Sequence, residues 1–260
     1  MIRHLALLTL ALGACTSVAP IRNIAEPRSG VTFTSNDIRK LQNDDAANPG
    51  MLWVEQGKAL WRAGVEGAGV DNKSCASCHG DAEQAMRGVA ARYPVYDAAA
   101  GNILNLEGRI NQCRVHRQHA EPLRYESEGL LALTSYVAHQ SRGMPIQASI
   151  DGPARPHFEA GQAHYVTRQG QLNLSCAHCH ERNWGKMLLA EPISQGQSNG
   201  FPAYRLEWQG LGSLHRRLRA CQFGIRAERS AAGSQELLDL ELYLAWRANG
   251  LPVEAPGVRR

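Results

Sequence analysis

Two five-residue motifs carry the clearest chemistry in this chain: Cys75-Ala76-Ser77-Cys78-His79 and Cys176-Ala177-His178-Cys179-His180. Both read Cys-x-x-Cys-His, the attachment pattern of c-type haem. Two thiols about one helical turn apart add across the porphyrin vinyl groups, and the histidine that follows supplies an axial nitrogen to the iron. A zinc site or a redox dithiol is the competing reading. It is weaker because both copies carry the histidine and the chain begins with an export-type leader. His178 fills a variable position and reads as surface. The motifs therefore predict two haem c per chain, held by Cys75, Cys78, Cys176 and Cys179, with His79 and His180 as axial ligands.

The second axial ligand is the more telling question. Met86 and Met187 each lie seven residues after a haem histidine, too close to come round to the opposite face, and read as packing. Met144 has Leu251 as its counterpart in the repeat described below. His116, His119 and His215 do not recur either. Cys113 and Cys221 do recur, 34 and 41 residues after His79 and His180. They are the predicted sixth ligands, with inert buried thiols or a mutual disulfide as the bland alternatives. Thiolate donates charge to iron and stabilises the ferric state. Arg109 and Arg217 precede these cysteines by four residues, which on a helix places guanidinium and sulfur on one face. A neighbouring cation stabilises a thiolate and offers a fork for an oxyanion. The alternative for both arginines is a haem propionate. Around Cys221 the helix is strongly basic, with Arg216, Arg217 and Arg219; around Cys113, Glu107 offsets Arg114 and Arg117.

The elements that must position these groups come as a tandem repeat. Gly57-Lys58-Ala59-Leu60-Trp61 corresponds to Gly161-Gln162-Ala163-His164-Tyr165. Tyr93-Pro94-Val95-Tyr96 recurs 108 residues later as Phe201-Pro202-Ala203-Tyr204, and Leu106, Arg109 and Cys113 recur at the same offset as Leu214, Arg217 and Cys221. Helices are predicted from Asn48-Pro49 to about Ala63, from Leu106 to Arg117, from Leu214 to Gly224, and over Ser127–Arg142 and Ser234–Ala248. The last two are stopped by Gly143-Met144-Pro145 and Gly250-Leu251-Pro252. Leu130, Leu133 and Val137 predict one buried face. Met144 to Pro156 reads as a linker, and no strand-rich stretch is visible. The predicted fold is all-α, a tandem duplication of two class I cytochrome c-like haem domains. The first is expected over 48–150 and the second, with the active site, over 151–260, after an N-terminal extension over 20–47.

Residues 1–19 read as a signal peptide. Arg3 leads an apolar run from Leu5 to Ala14, too short to span a bilayer. Leu12-Gly13-Ala14-Cys15 also has the form of a lipobox, which would make Cys15 a lipid anchor; ordinary cleavage after Ala14 or Ala19 is the alternative. Either route delivers the chain to the periplasm. Over 260 residues, 43% are hydrophobic and the net charge is +4, which excludes a disordered chain and a strongly basic nucleic-acid binder.

Gly108-Arg109-Ile110-Asn111-Gln112-Cys113, Met86-Arg87-Gly88-Val89-Ala90-Ala91-Arg92-Tyr93-Pro94 and His215-Arg216-Arg217-Leu218-Arg219-Ala220-Cys221, with the two haem motifs, resemble the SoxA family of bacterial sulfur oxidation. The resemblance covers nearly the whole mature chain. It implies a heterodimer with SoxX, a small monohaem cytochrome c. It also implies oxidative coupling of thiosulfate to a cysteine of the SoxYZ carrier protein, forming an S-thiosulfonate as electrons leave through haem. It makes Cys221 both haem ligand and catalytic cysteine, found in the family as a persulfide, and makes Arg217 the substrate-binding arginine. Both haem motifs are intact here, as in the dihaem branch. A thiosulfate dehydrogenase forming tetrathionate, a plain dihaem electron carrier and a dihaem peroxidase are the alternatives. Repeated thiolate ligands argue against the first and the last.

Overall fold

The computed structural model describes residues 26–65 and 72–260. The leader, with Cys15, lies outside the described residues. The helices are α1 (Asn36–Asn43), α2 (Met51–Arg62), α3 (Cys75–His79), α4 (Ala82–Ala85), α5 (Leu106–Arg117), α6 (Glu128–His139), α7 (Arg155–Val166), α8 (Cys176–His180), α9 (Leu214–Gly224) and α10 (Gln235–Arg247). Short strands β1 (Val95–Asp97), β2 (Asn102–Leu104), β3 (Met187–Leu188), β4 (Glu191–Pro192), β5 (Ala203–Arg205), β6 (Gly210–Gly212) and β7 (Gly257–Arg259) accompany them. None is longer than three residues, so none leaves the alternation by which a strand is read from sequence.

Each half is built on one helix crossing. α2 lies on α6 and α7 lies on α10. The crossings are close because a glycine sits at each. A Cβ on Gly57 would lie 2.1 Å from the Ala132 carbonyl oxygen, and one on Gly161 would lie 2.0 Å from that of Asp239. Trp61 then meets Tyr136 at 6.0 Å and Tyr165 meets Tyr243 at 5.1 Å between ring centroids. α6 is buried all round from Leu130 to Ala138, wider than the single face predicted. α2 and α5 both pack on it, so an apolar stripe does not suffice.

The repeat extends to strand register. β1 pairs with β2 as Val95↔Leu104, Tyr96↔Ile103 and Asp97↔Asn102, and β5 pairs with β6 as Ala203↔Gly212, Tyr204↔Leu211 and Arg205↔Gly210. Every residue maps onto its counterpart at an offset of 108.

The stretch read as a linker is instead a structured seam. Its first residues pair antiparallel with the matching segment of the second half, Pro145 with its own counterpart Pro252. Gly143 N donates to Val253 O at 2.9 Å and Gly250 N to Ile146 O at 3.0 Å; Ile146 N donates to Leu251 O and Val253 N to Met144 O, both at 2.9 Å. The bridge centres on Pro145 and Pro252 and gives the halves an approximate two-fold relation. Proline there forgoes a donor that an antiparallel bridge this short does not need. The cores interlock across the seam: Ala245, Ala248 and Val253 join the first, and Ile103 joins the second. The N-terminal extension lies on the second half, where Arg28 N donates to Gln195 Oε1 at 2.7 Å and Gln42 Oε1 accepts from Val258 N of β7 at 3.0 Å.

Gly161→Ala should cost about 2–3 kcal/mol, because the new methyl meets backbone and the helices must part. Chemical denaturation of the haem-loaded protein measures this. Gly224→Ala, whose Cβ meets nothing within 4 Å, should leave the midpoint where it is.

Candidate functional site

Each haem motif is one turn of helix opened by the residue before it. In α3, Ser77 N donates to Ser74 Oγ and Ser74 N to Ser77 Oγ, both at 3.0 Å. In α8, Ser175 N donates to His178 Nδ1 at 3.2 Å, with Ser175 Oγ 2.7 Å from the same nitrogen. His178 is thus a capping partner rather than surface filling. The reciprocal cap starts a helix of five residues that propensity alone would not hold.

In the second half the predicted site residues converge. His180 Nδ1 lies 2.8 Å from the Ser194 carbonyl oxygen, a contact that orients the ring and leaves Nε2 as the free donor of an electron pair. Gly196, at φ +70°, lies so close that a Cβ there would stand 2.8 Å from the ring. The ring is within hydrogen-bonding reach of Cys221 on α9. α9 itself starts at Ser213, whose Oγ accepts from Arg216 N at 3.1 Å.

The three thiols of this half have opposite tendencies. Loss of hydration alone would push Cys221 up. The Arg217 charge, the His180 hydrogen bond and then the Arg205 charge outweigh it and bring Cys221 down to about 7. Cys176 is pushed up to about 12 by burial first and then by the Cys221 charge, and Cys179 is raised by the same two causes. Two thiols that burial keeps neutral and one that neighbouring cations favour as thiolate are compatible with thioether attachment at Cys176 and Cys179 and a thiolate ligand from Cys221. Among the described residues, no group of three or more His, Cys, Asp or Glu is arranged to hold a bare metal ion, and the cysteines are all free.

The first half has the same parts with different surroundings. Burial and the Cys113 charge raise Cys75, which places those two thiols in one neighbourhood, with Gln118 Nε2 3.9 Å from Cys75 Sγ. The His79 ring lies 5.7 Å from the Trp61 ring. Among the described residues no hydrogen bond orients it as Ser194 orients His180.

The two arginines differ most. Arg109 is fully engaged: Nε donates to Tyr93 Oη at 2.9 Å, Nη2 to Asp97 Oδ2 at 2.6 Å, and Nη1 to Gln112 Oε1. The Arg217 guanidinium makes no hydrogen bond or ion pair with any described residue. Arg205, which the sequence reading passed over, stands with it beside Cys221; burial and then the Arg217 charge lower it. The repeat alignment stops one residue short of it, since Tyr93–Tyr96 is followed by Asp97 and Phe201–Tyr204 by Arg205.

The rival ligands are placed elsewhere. Met86 packs against the first core, Met187 is exposed, and Met144 lies against Gly88. His116 and His119 are exposed. His215 is buried at the seam, 2.9 Å from Glu241 Oε2, with the Tyr125 ring stacked on it at 5.7 Å. Glu107, its repeat counterpart, faces the same carboxylate; burial and then the Glu241 charge push it up to about 7, against His215.

Comparison with known proteins agrees with this geometry. Residues 56–146 match the model of the SoxA/TsdA cytochrome c domain. The L-cysteine S-thiosulfotransferase subunit SoxA of Pseudaminobacter salicylatoxidans is 48% identical over 236 residues, covering 90% of this chain and 82% of the relative. The subunit of the same name from Paracoccus pantotrophus is 42% identical over 231 residues, covering 89% and 78%. A chain of the crystal structure of SoxXA from P. pantotrophus superposes with a TM-score of 0.86 at 42% identity, over 90% of this chain and 87% of that one. A mostly helical cytochrome c fold, cysteine–histidine haem motifs and relatives of this identity over most of their length lead to one conclusion: the chain belongs to the SoxA family.

Proposed function

We propose that this chain is the SoxA subunit of an L-cysteine S-thiosulfotransferase, working at Cys221. It joins thiosulfate to the thiolate of a SoxYZ-like carrier through one new sulfur–sulfur bond, and two electrons leave for a SoxX-like monohaem cytochrome. The observation that carries this reading is the contrast between Arg217, free beside a thiol brought down to about 7, and Arg109, spent on Asp97.

The residues divide the work as follows. Cys75 and Cys78, and Cys176 and Cys179, would hold two haem c through thioethers. His79 with Cys113, and His180 with Cys221, would be the residues offered to each iron. Haem c, when bound, supplies an acceptor of one electron at a time and a ferric iron that favours thiolate. Arg217 takes the sulfonate end of the thiosulfate dianion as a bidentate partner, which aims the sulfane sulfur at Cys221. Ser194 O and Gly196 hold His180 in the orientation its nitrogen needs. The chain works in the periplasm, exported by the signal peptide in residues 1–19, with cleavage before Cys15 making that residue a lipid anchor. No helix among the described residues is long and apolar enough to cross a membrane.

Mass spectrometry of the carrier after turnover tests the reading. A carrier cysteine heavier by one thiosulfate, formed only with this complex and thiosulfate present, is expected. Tetrathionate made at full rate without carrier would instead make the chain a thiosulfate dehydrogenase. A second outcome concerns the histidine. Gly196→Ala should shift the electron paramagnetic resonance signal of the second haem alone, because the methyl presses on the His180 ring, and should leave the first-haem signal unchanged.

A further inference from the structure

The two halves are built on one plan, so each exchange between them at a matched position is informative. Around Arg109 and Arg217 the exchanges run in one direction. Tyr93, which accepts from Arg109 Nε, is replaced by Phe201. Gln112, which accepts from Nη1, is replaced by Ala220. Asp97, which accepts from Nη2 at 2.6 Å, is replaced by Arg205. Every partner that neutralises the first arginine is gone from around the second, and the one carboxylate has become a cation. Strand register shows these are true counterparts: Asp97 pairs with Asn102 in the first hairpin and Arg205 with Gly210 in the second.

The hairpin turn is rebuilt to hold that cation. In the first half the residues after Asp97 are Ala98-Ala99-Ala100; in the second, Arg205 is followed by Leu206-Glu207-Trp208. Glu207 Oε1 accepts from Arg205 Nε at 2.9 Å and lies 2.7 Å from Nη2. Nη1 makes no hydrogen bond among the described residues. The Arg205 guanidinium carbon lies 5.0 Å from the Trp208 ring centroid, and that of Arg216 lies 4.2 Å from it. The indole can settle there because Leu104 of the first half is replaced by Gly212, where a Cβ would stand 2.4 Å from the Trp208 ring. Fixing a half-buried guanidinium on a carboxylate edge and an aromatic face removes rotamer freedom before any ligand arrives. A second arginine in reach of the first is repulsive without a bound anion, so it is an unfavourable arrangement for a purely structural purpose.

We propose that Arg205 is a second oxyanion-binding arginine of the Cys221 site, which closes on the dianionic substrate opposite Arg217 and sets the site's preference for doubly charged anions. The proposal rests on the function assigned to Cys221 above. Arg217 and Arg205 then take the sulfonate oxygens together, and two fixed cations match the two negative charges of thiosulfate. Glu207 tempers the pair, keeping Arg205 in place without meeting the anion.

The test uses the intact complex of both subunits with bound haem, in steady-state coupling of thiosulfate to the carrier. Inorganic sulfate serves as an unreactive dianion. Arg205→Gln should raise the thiosulfate KM and the sulfate inhibition constant together, each roughly tenfold, the scale of one charge-assisted hydrogen bond, with kcat changed far less. Arg205→Lys should recover most of both. Arg205→Asp restores the carboxylate of the first half next to Arg217 and should raise KM well beyond Arg205→Gln. Glu207→Gln should lower KM, which keeps the proposal testable should Arg205→Gln lose haem. Haem content and the resonance spectrum, unchanged in each variant, separate anion binding from misfolding. If wild type couples thiosulfate but Arg205→Gln and Glu207→Gln leave KM and sulfate inhibition unmoved, the proposal is overturned and the proposed function stands. If wild type forms no adduct on the carrier, the functional reading falls with it.

Discussion

A thiol beside unneutralised guanidinium is the interaction on which this structure turns. Loss of hydration favours the neutral form of Cys221, and Arg217, His180 and Arg205 together reverse that preference. The other parts of the second half supply those three groups. α9 carries Cys221 and Arg217 one turn apart, the β5–β6 hairpin delivers Arg205, and the Ser194 carbonyl fixes the histidine. The helix crossing at Gly161 sets where α10 lies against α7, and α7 and α10 in turn pack on α8 and α9.

Duplication gives the molecule two frames of the same geometry, and side-chain exchange gives them different chemistry. In the first frame an arginine near a cysteine is satisfied by Asp97, Tyr93 and Gln112, so its charge is spent within the protein. In the second the matching guanidinium, Arg217, has no hydrogen-bond or ion-pair partner among the described residues. Buried or half-buried charge without a partner is costly, and a fold keeps it where a ligand repays the cost. The seam around Pro145 and Pro252 makes the two frames one body. Met144–Ile146 form a shared ladder with Leu251–Val253.

Much of this was legible in the sequence. Covalent chemistry fixes the spacing of Cys-x-x-Cys-His, so the haem motifs and their histidines are plain to read. The repeat singled out Cys113 and Cys221 because a ligand required twice must recur. Helices α2, α5, α6, α9 and α10 were bounded within a few residues by capping residues, glycine and proline, whereas α7 was not anticipated. What escaped depends on pairing across distance. Strands of two or three residues have no period. The seam joins residues 107 apart, with no local signal beyond the repeat itself. His178 looked like filler because a histidine seldom closes a capping box. Arg205 was within reach of the alignment, one residue past its last identity, and was passed over because attention to what recurs hides what has been exchanged.

On the proposed function, Cys113 and Cys221 ligate alike and act differently. Replacing each by methionine in the assembled complex, and recording both the resonance spectrum and thiosulfate coupling to the carrier, tests it directly. Cys113→Met and Cys221→Met should each remove one of two low-spin thiolate-ligated haem signals, while only Cys221→Met abolishes coupling. Full coupling by Cys221→Met, or loss of coupling by Cys113→Met with the Cys221 signal intact, would contradict it.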